Sequence, residues 1–113
     1  MIFELLTIND FFLHFGNGYC VEMPSDKKEL DKLLDYLFSQ KAEWKFYTTL
    51  TDRKWFHGIY ITFKNRKLSE VTSIMKDICM MLKTDSYCLC EDYTQSIIDA
   101  EGDVIAFADF SEK

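Results

Sequence analysis

Residues 44–63 read "WKFYTTLTDRKWFHGIYITF". Two runs rich in β-branched and aromatic side chains, Trp44–Leu50 and Trp55–Phe63, are divided by the polar stretch Thr51–Lys54. Such residues fit a pleated, half-buried surface, and a short polar break between two of these runs predicts an antiparallel hairpin. Alternation in the second run puts Trp55, His57, Ile59, Ile61 and Phe63 on one face, with Phe56, Gly58, Tyr60 and Thr62 on the other.

A helical pattern flanks the hairpin on each side. After it, "LSEVTSIMKDICMMLK" carries Val71, Ile74, Met75, Ile78, Cys79 and Leu82 at helical spacing. Ser69 is the expected cap, with Glu70 in the first turn and Lys83 in the last. Before the hairpin, Pro24-Ser25-Asp26 signals a helix start, and Asp26 with Glu29 has capping-box spacing. Leu30, Leu33, Leu34, Leu37 and Phe38 then make one apolar stripe, opposite Lys27, Lys28, Asp31, Lys32 and Asp35.

Strand patterns lie outside the helices. "FFLHFGNGYCVEM" reads as two short strands around Gly16-Asn17-Gly18, residues that tolerate a tight hairpin. "IFELLTI" fits a strand or a short helix equally well. "YCLCED", "SIID" and "DVIAF" read as three strands, the last two joined by a turn at Glu101-Gly102-Asp103. Runs of adjacent strands predict an α+β fold, an antiparallel sheet with two helices packed on one face. A chain of 113 residues can bury one core of its own, so residues 1–113 are expected to form a single domain.

The charge is unevenly placed. From Asp85 to Lys113 there are eight carboxylates against Lys113, a net of −7 in a chain whose total is −6. Residues 41–67 lean the other way, with seven bases against Glu43 and Asp52, a net of +5. Fields of this kind steer association more than they stabilise folds. An acidic terminus invites a basic partner. It also serves as a solvated edge that keeps the last strands from aggregating. Tyr87, Tyr93, Phe107 and Phe110 lie within it, and aromatic anchors ringed by charge are typical of interfaces.

Catalytic and metal-binding patterns are missing from the sequence. No phosphate-binding glycine loop, H-E-x-x-H or G-x-S-x-G occurs. Cys20, Cys79, Cys88 and Cys90 include no C-x-x-C, and His14 and His57 are distant from them in sequence. The four are expected to be reduced, mostly buried thiols of a cytoplasmic protein; a Cys88–Cys90 disulfide would strain its strand. His57 is expected to be a half-buried sheet residue. Asp99, Glu101 and Asp103 lack the twelve-residue calcium-loop pattern and read as turn carboxylates. No cofactor and no metal are expected. The basic, aromatic middle could stack single-stranded bases, but the net charge is wrong for direct nucleic-acid binding. "MIFELLTINDFFLHF" lacks a basic leader region, and no run is long enough to span a membrane.

A small acidic α+β chain with no catalytic set and an aromatic-bearing acidic terminus, "CEDYTQSIIDAEGDVIAF", resembles bacterial immunity proteins. These are the antidotes of polymorphic and contact-dependent growth-inhibition toxins. The resemblance lies in size and texture over the whole chain. It implies a non-enzymatic protein that binds a basic toxin domain, often a nuclease, and blocks its active site or a neighbouring surface. On the charge pattern, Glu91, Asp92, Asp99, Glu101 and Asp103 are the candidate partner-binding residues, with Tyr93 as an anchor. Two alternatives are a phage-type mimic of nucleic acid that disables a host defence enzyme, and a small enzyme or ligand-binding domain. The last predicts a deep pocket lined by His57, Cys88 or Cys90.

Overall fold

The computed structural model describes residues 4–6, 17–51 and 54–109. In chain order the elements are β1 (Glu4–Leu6), β2 (Gly18–Glu22), α1 (Lys27–Ser39), β3 (Glu43–Thr51), β4 (Lys54–Thr62), α2 (Leu68–Leu82), β5 (Ser86–Glu91), β6 (Thr94–Asp99) and β7 (Val104–Asp109). The strands form one seven-stranded sheet in the order β1-β3-β4-β2-β5-β6-β7. The fold is α+β, as the run of adjacent strands predicts. β1 pairs parallel to β3, and every other pairing is antiparallel.

The predicted hairpin is β3–β4, in continuous register from Glu43 opposite Thr62 to Thr51 opposite Lys54. Its helix-facing residues include Ile59 and Ile61, both fully buried. They join Val21 of β2, Tyr87 of β5 and Ile98 of β6 in one core under the helices. Helix α1 contributes Leu30, Leu33 and Leu37, and α2 contributes Val71, Ile74, Met75, Ile78 and Cys79. Both helices therefore cover the same face of the sheet.

Helix boundaries follow local chemistry. Asp26 caps α1, its carboxylate accepting from the Lys28 backbone N–H at 2.9 Å. Lys41, in the left-handed region at φ 58°, turns the chain out of α1 into β3. The cap of α2 is Lys67, not Ser69, which lies one residue inside the helix. Glu70 reaches back to accept from the Lys67 backbone N–H at 3.1 Å, so the carboxylate three residues in decides the start. Phe38 departs from the expected stripe of α1 and is 77% exposed. It sits at the margin of the stripe, one residue beyond fully buried Leu37. Two links tie the helical layer together: the Tyr36 hydroxyl donates to Asp77 at 2.9 Å, and Arg66 Nη2 donates to the Gln40 carbonyl at 2.7 Å.

The opposite face holds a second, smaller buried group. Cys20, Cys90, Tyr47 and Tyr60 are all buried there, apart from the helix-side core. Tyr60 lies directly over Gly18, where a Cβ would stand 2.5 Å from the ring's Cζ and Oη. The first strand predicted around Gly16-Asn17-Gly18 and the side chain of His14 fall outside the described residues.

Candidate partner-binding edge

Strands β5, β6 and β7 carry the acidic end of the chain and form one end of the sheet. β5 and β6 are joined by the two-residue turn Asp92-Tyr93, both with positive φ, at 46° and 65°. This is the twist-matched turn of a tight hairpin, made without glycine. The Asp92 backbone N–H donates to Asn17 Oδ1 at 3.1 Å, and the Thr94 hydroxyl bonds the Glu91 carbonyl, which together hold the turn.

The β6–β7 turn is built around Asp99. Its Oδ1 accepts from the backbone N–H groups of Glu101 at 3.0 Å and Asp103 at 2.9 Å. The backbone closes the turn with Asp99 N–H to Asp103 O at 2.9 Å and Gly102 N–H to Asp99 O at 3.0 Å. Gly102 adopts φ 93°, a conformation that a side chain would strain.

This geometry divides the sequence-derived candidates. Glu91, Asp92 and Tyr93 sit at one end of the β5–β6 hairpin; Asp99, Glu101 and Asp103 sit at the other. Six-residue strands separate the two groups by about 17–20 Å. Glu91, Asp92, Glu101 and Asp103 are exposed, whereas Tyr93 and Asp99 are half-buried. Of the aromatics in the segment, Tyr87 is buried in the core and Phe107 is exposed. Phe110 lies outside the described residues.

Sequence reasoning missed the feature that joins the two ends. β7 is the last strand of the sheet, and among the described residues no strand pairs with its outer side. It exposes Val104 at 60%, Ile105 at 60% and Phe107 at 63%. Ile98 pairs with Val104 and Ile97 with Ala106, so Ile105 is the extra residue of a β-bulge. Phe107 lies opposite Ser96, which lies opposite Leu89 on the helix-facing side. The helices pack over β3 and β5, and the shelf made by β7 extends past them. An alternating apolar strand flanked by Asp103 and Asp109 is the sequence signal for this shelf. Reading it requires knowing that β7 is an edge.

Elsewhere, two clefts lined by described residues have volumes of about 270 Å³ each. One is lined by Tyr19, Phe63, Arg66, Leu68, Leu89 and Glu91, among others, and the second by Glu22, Met23, Ser25, Glu29 and Thr84, among others. Neither contains His57, Cys88 or Cys90. His57 is exposed rather than half-buried, with Nδ1 2.8 Å from the Thr48 hydroxyl. Among the described residues, no three His, Cys, Asp or Glu side chains are arranged to hold a metal ion. No described helix is long and apolar enough to cross a membrane. Compared with known proteins, the chain matches no family model, no curated protein and no solved structure.

Proposed function

We propose that this chain is a non-catalytic binding protein of the immunity type, which neutralises a basic toxin domain, such as a nuclease, by docking it against the β5–β7 edge. One observation carries the reading: three large apolar side chains stand about 60% exposed on an edge strand between Asp103 and Asp109. Natural edge strands are usually short, charged or covered, because an open edge pairs with other chains. Here carboxylates guard only the ends. A partner that lays an apolar segment along β7 and sets basic groups at both turns would satisfy strand, shelf and charge together. The acidic field would speed its arrival, and Phe107 would anchor it.

The experiment is affinity isolation from the native host with wild-type chain and a Phe107→Ala variant, keeping proteins held only by the wild type. The retained partner is then titrated by calorimetry against Glu91→Lys/Asp92→Lys and Glu101→Lys/Asp103→Lys. Docking along β7 predicts weaker binding and a flatter salt dependence for both reversals, and protection of cells co-expressing the partner's toxic domain. Finding no protein held by the wild type alone, or an affinity for the retained partner that both charge reversals leave unchanged, would sink the edge as the interface. A retained partner that is a host defence enzyme would favour the nucleic-acid mimic instead.

A further inference from the structure

Three of the four thiols meet on the sheet face opposite the helices. Cys20 Sγ lies 3.7 Å from Cys90 Sγ, and Cys88 Sγ lies 3.8 Å from Cys90 Sγ. Cys20 and Cys90 are buried, while Cys88 is half-buried, the least buried of the three. The cluster stands where β2 meets β5, a ladder that among the described residues comprises Gly18–Cys90, Tyr19–Leu89 and Cys20–Cys88. We infer that Cys88 and Cys20 form a peroxide-driven disulfide across this seam, with Cys88 as the thiol that reacts first.

Pairing geometry selects the partner. Cys20 and Cys88 are directly opposite on antiparallel strands. Opposed residues hold their Cα atoms about 4.5–5.5 Å apart, inside the roughly 4.4–6.8 Å span of disulfides. Cys20 and Cys90 are diagonal, at about 7–8 Å, although their sulfurs touch. Cys88 and Cys90 stand two residues apart on one strand, on the same face with parallel side chains, a poor arrangement for a bridge.

The chemistry of the cluster favours the same order. Hydrogen bonds from Cys20 and then Cys90 pull the Cys88 thiol down to about 4, against the opposing effect of burial. Burial, and then bonds to Cys88 and Cys90, push Cys20 well up. Cys90 also ends high, at about 12: its bond with Cys20 lowers it, but the bond to Cys88, burial and the charge on Cys88 outweigh that. The thiol that is pulled down is thus also on the least buried residue of the three, and the thiolate is the reactive form. The Cys88 thiolate attacks one oxygen of hydrogen peroxide; an S–O bond forms, the O–O bond breaks, and hydroxide leaves to become water on protonation. Cys20 then loses its proton and attacks the Cys88 sulfur. The S–S bond forms and the S–O bond breaks, and the expelled hydroxide takes up the Cys20 proton as a second water. Two thiols are oxidised by two electrons and one peroxide is reduced.

The test uses the wild-type chain in dilute hydrogen peroxide, quenched by alkylation and mapped as unreduced peptides by mass spectrometry. The expected product links the Cys20 and Cys88 peptides with loss of two hydrogens, and dithiothreitol reverses it. Cys88 should be consumed at least about tenfold faster than Cys79, whose thiol is buried beneath α2 and held in its neutral form. Cys88→Ser should abolish the link and Cys79→Ser should leave it intact. Equal consumption of Cys88 and Cys79, a Cys88–Cys90 link, or sulfinic acid at Cys88 without any cross-link would each overturn the inference. The wild-type map decides the matter even if a variant fails to fold.

Discussion

Asp99 illustrates how a residue chosen for its charge can owe its place to the fold. It ends β6 half-buried, and one carboxylate oxygen accepts two backbone N–H groups, from Glu101 at 3.0 Å and Asp103 at 2.9 Å. Asp99→Ala removes both bonds. Deep in a protein, two bonds to a charged acceptor would be worth about 3–6 kcal/mol. Here the released donors lie in an exposed turn where water replaces the carboxylate, so the loss should be about 1–2 kcal/mol. Asp99→Asn keeps an acceptor in the same position, because an asparagine carbonyl makes the same type of turn; its cost should stay near 0.5 kcal/mol. The assay is urea unfolding. With a slope of about 1–1.5 kcal/mol/M for a chain of this size, Asp99→Ala should lower the midpoint by roughly 1 M and Asp99→Asn by less than about 0.5 M. Coincident wild-type and Asp99→Ala curves would refute the assigned role of the carboxylate. So would an Asp99→Asn midpoint as low as that of Asp99→Ala, because charge and not acceptor geometry would then be what the turn needs.

Two further outcomes follow from single contacts. Gly18→Ala places a methyl 2.5 Å from the Tyr60 ring, which is buried at 3% exposure and must move; the cost should be about 2 kcal/mol, seen as a lower Tm, and markedly less in a Tyr60→Ala background, where the clash is gone. Tyr36 is pushed up from 10.0 to about 12, by burial first and then by its bond to Asp77. Its neutral form is favoured in the fold, so its contribution is full below pH 10 and fades as pH rises through 12. The stability gap between wild type and Tyr36→Phe, measured by urea midpoints, should therefore narrow from pH 9 to the alkaline end of the scale. A constant gap would contradict the Tyr36–Asp77 bond.

Local patterns carried most of the elements into view. The stripe Leu30–Leu33–Leu37, the β3–β4 hairpin and the turn at Gly102 each depend on residues within a few positions of one another. What stayed hidden depends on long-range register. Nothing near Glu4–Leu6 says that it pairs parallel with β3, and nothing in the hairpin says that β2 will insert between β4 and β5. The thiol cluster needs Cys20 to find Cys88, 68 positions away, in one particular register. The split of the acidic candidates was partly legible, since Asp92-Tyr93 and Glu101-Gly102-Asp103 stand at successive turns. Their joining by an apolar shelf was not, because Val104 and Phe107 look like core residues until the strand order leaves β7 at the edge.

The strand order also explains why the charge asymmetry matters. Lys45 lies on β3, and Lys64, Arg66 and Lys67 follow β4, while the carboxylates follow β5 and β6. From β4 the sheet runs through β2, β5 and β6 to β7, four spacings of about 4.8 Å, or roughly 19 Å. At physiological ionic strength charges are screened over about 8 Å. A partner docked at β7 would therefore meet the Glu101 and Asp103 carboxylates with little cancellation from the basic half, whereas Glu91 shares a cleft with Arg66. The two halves meet at β2, whose ladder to β5 is three pairs long among the described residues. The proposed Cys20–Cys88 bond lies within that ladder. Closing it would tie the acidic half covalently to the rest of the sheet at this short interior pairing.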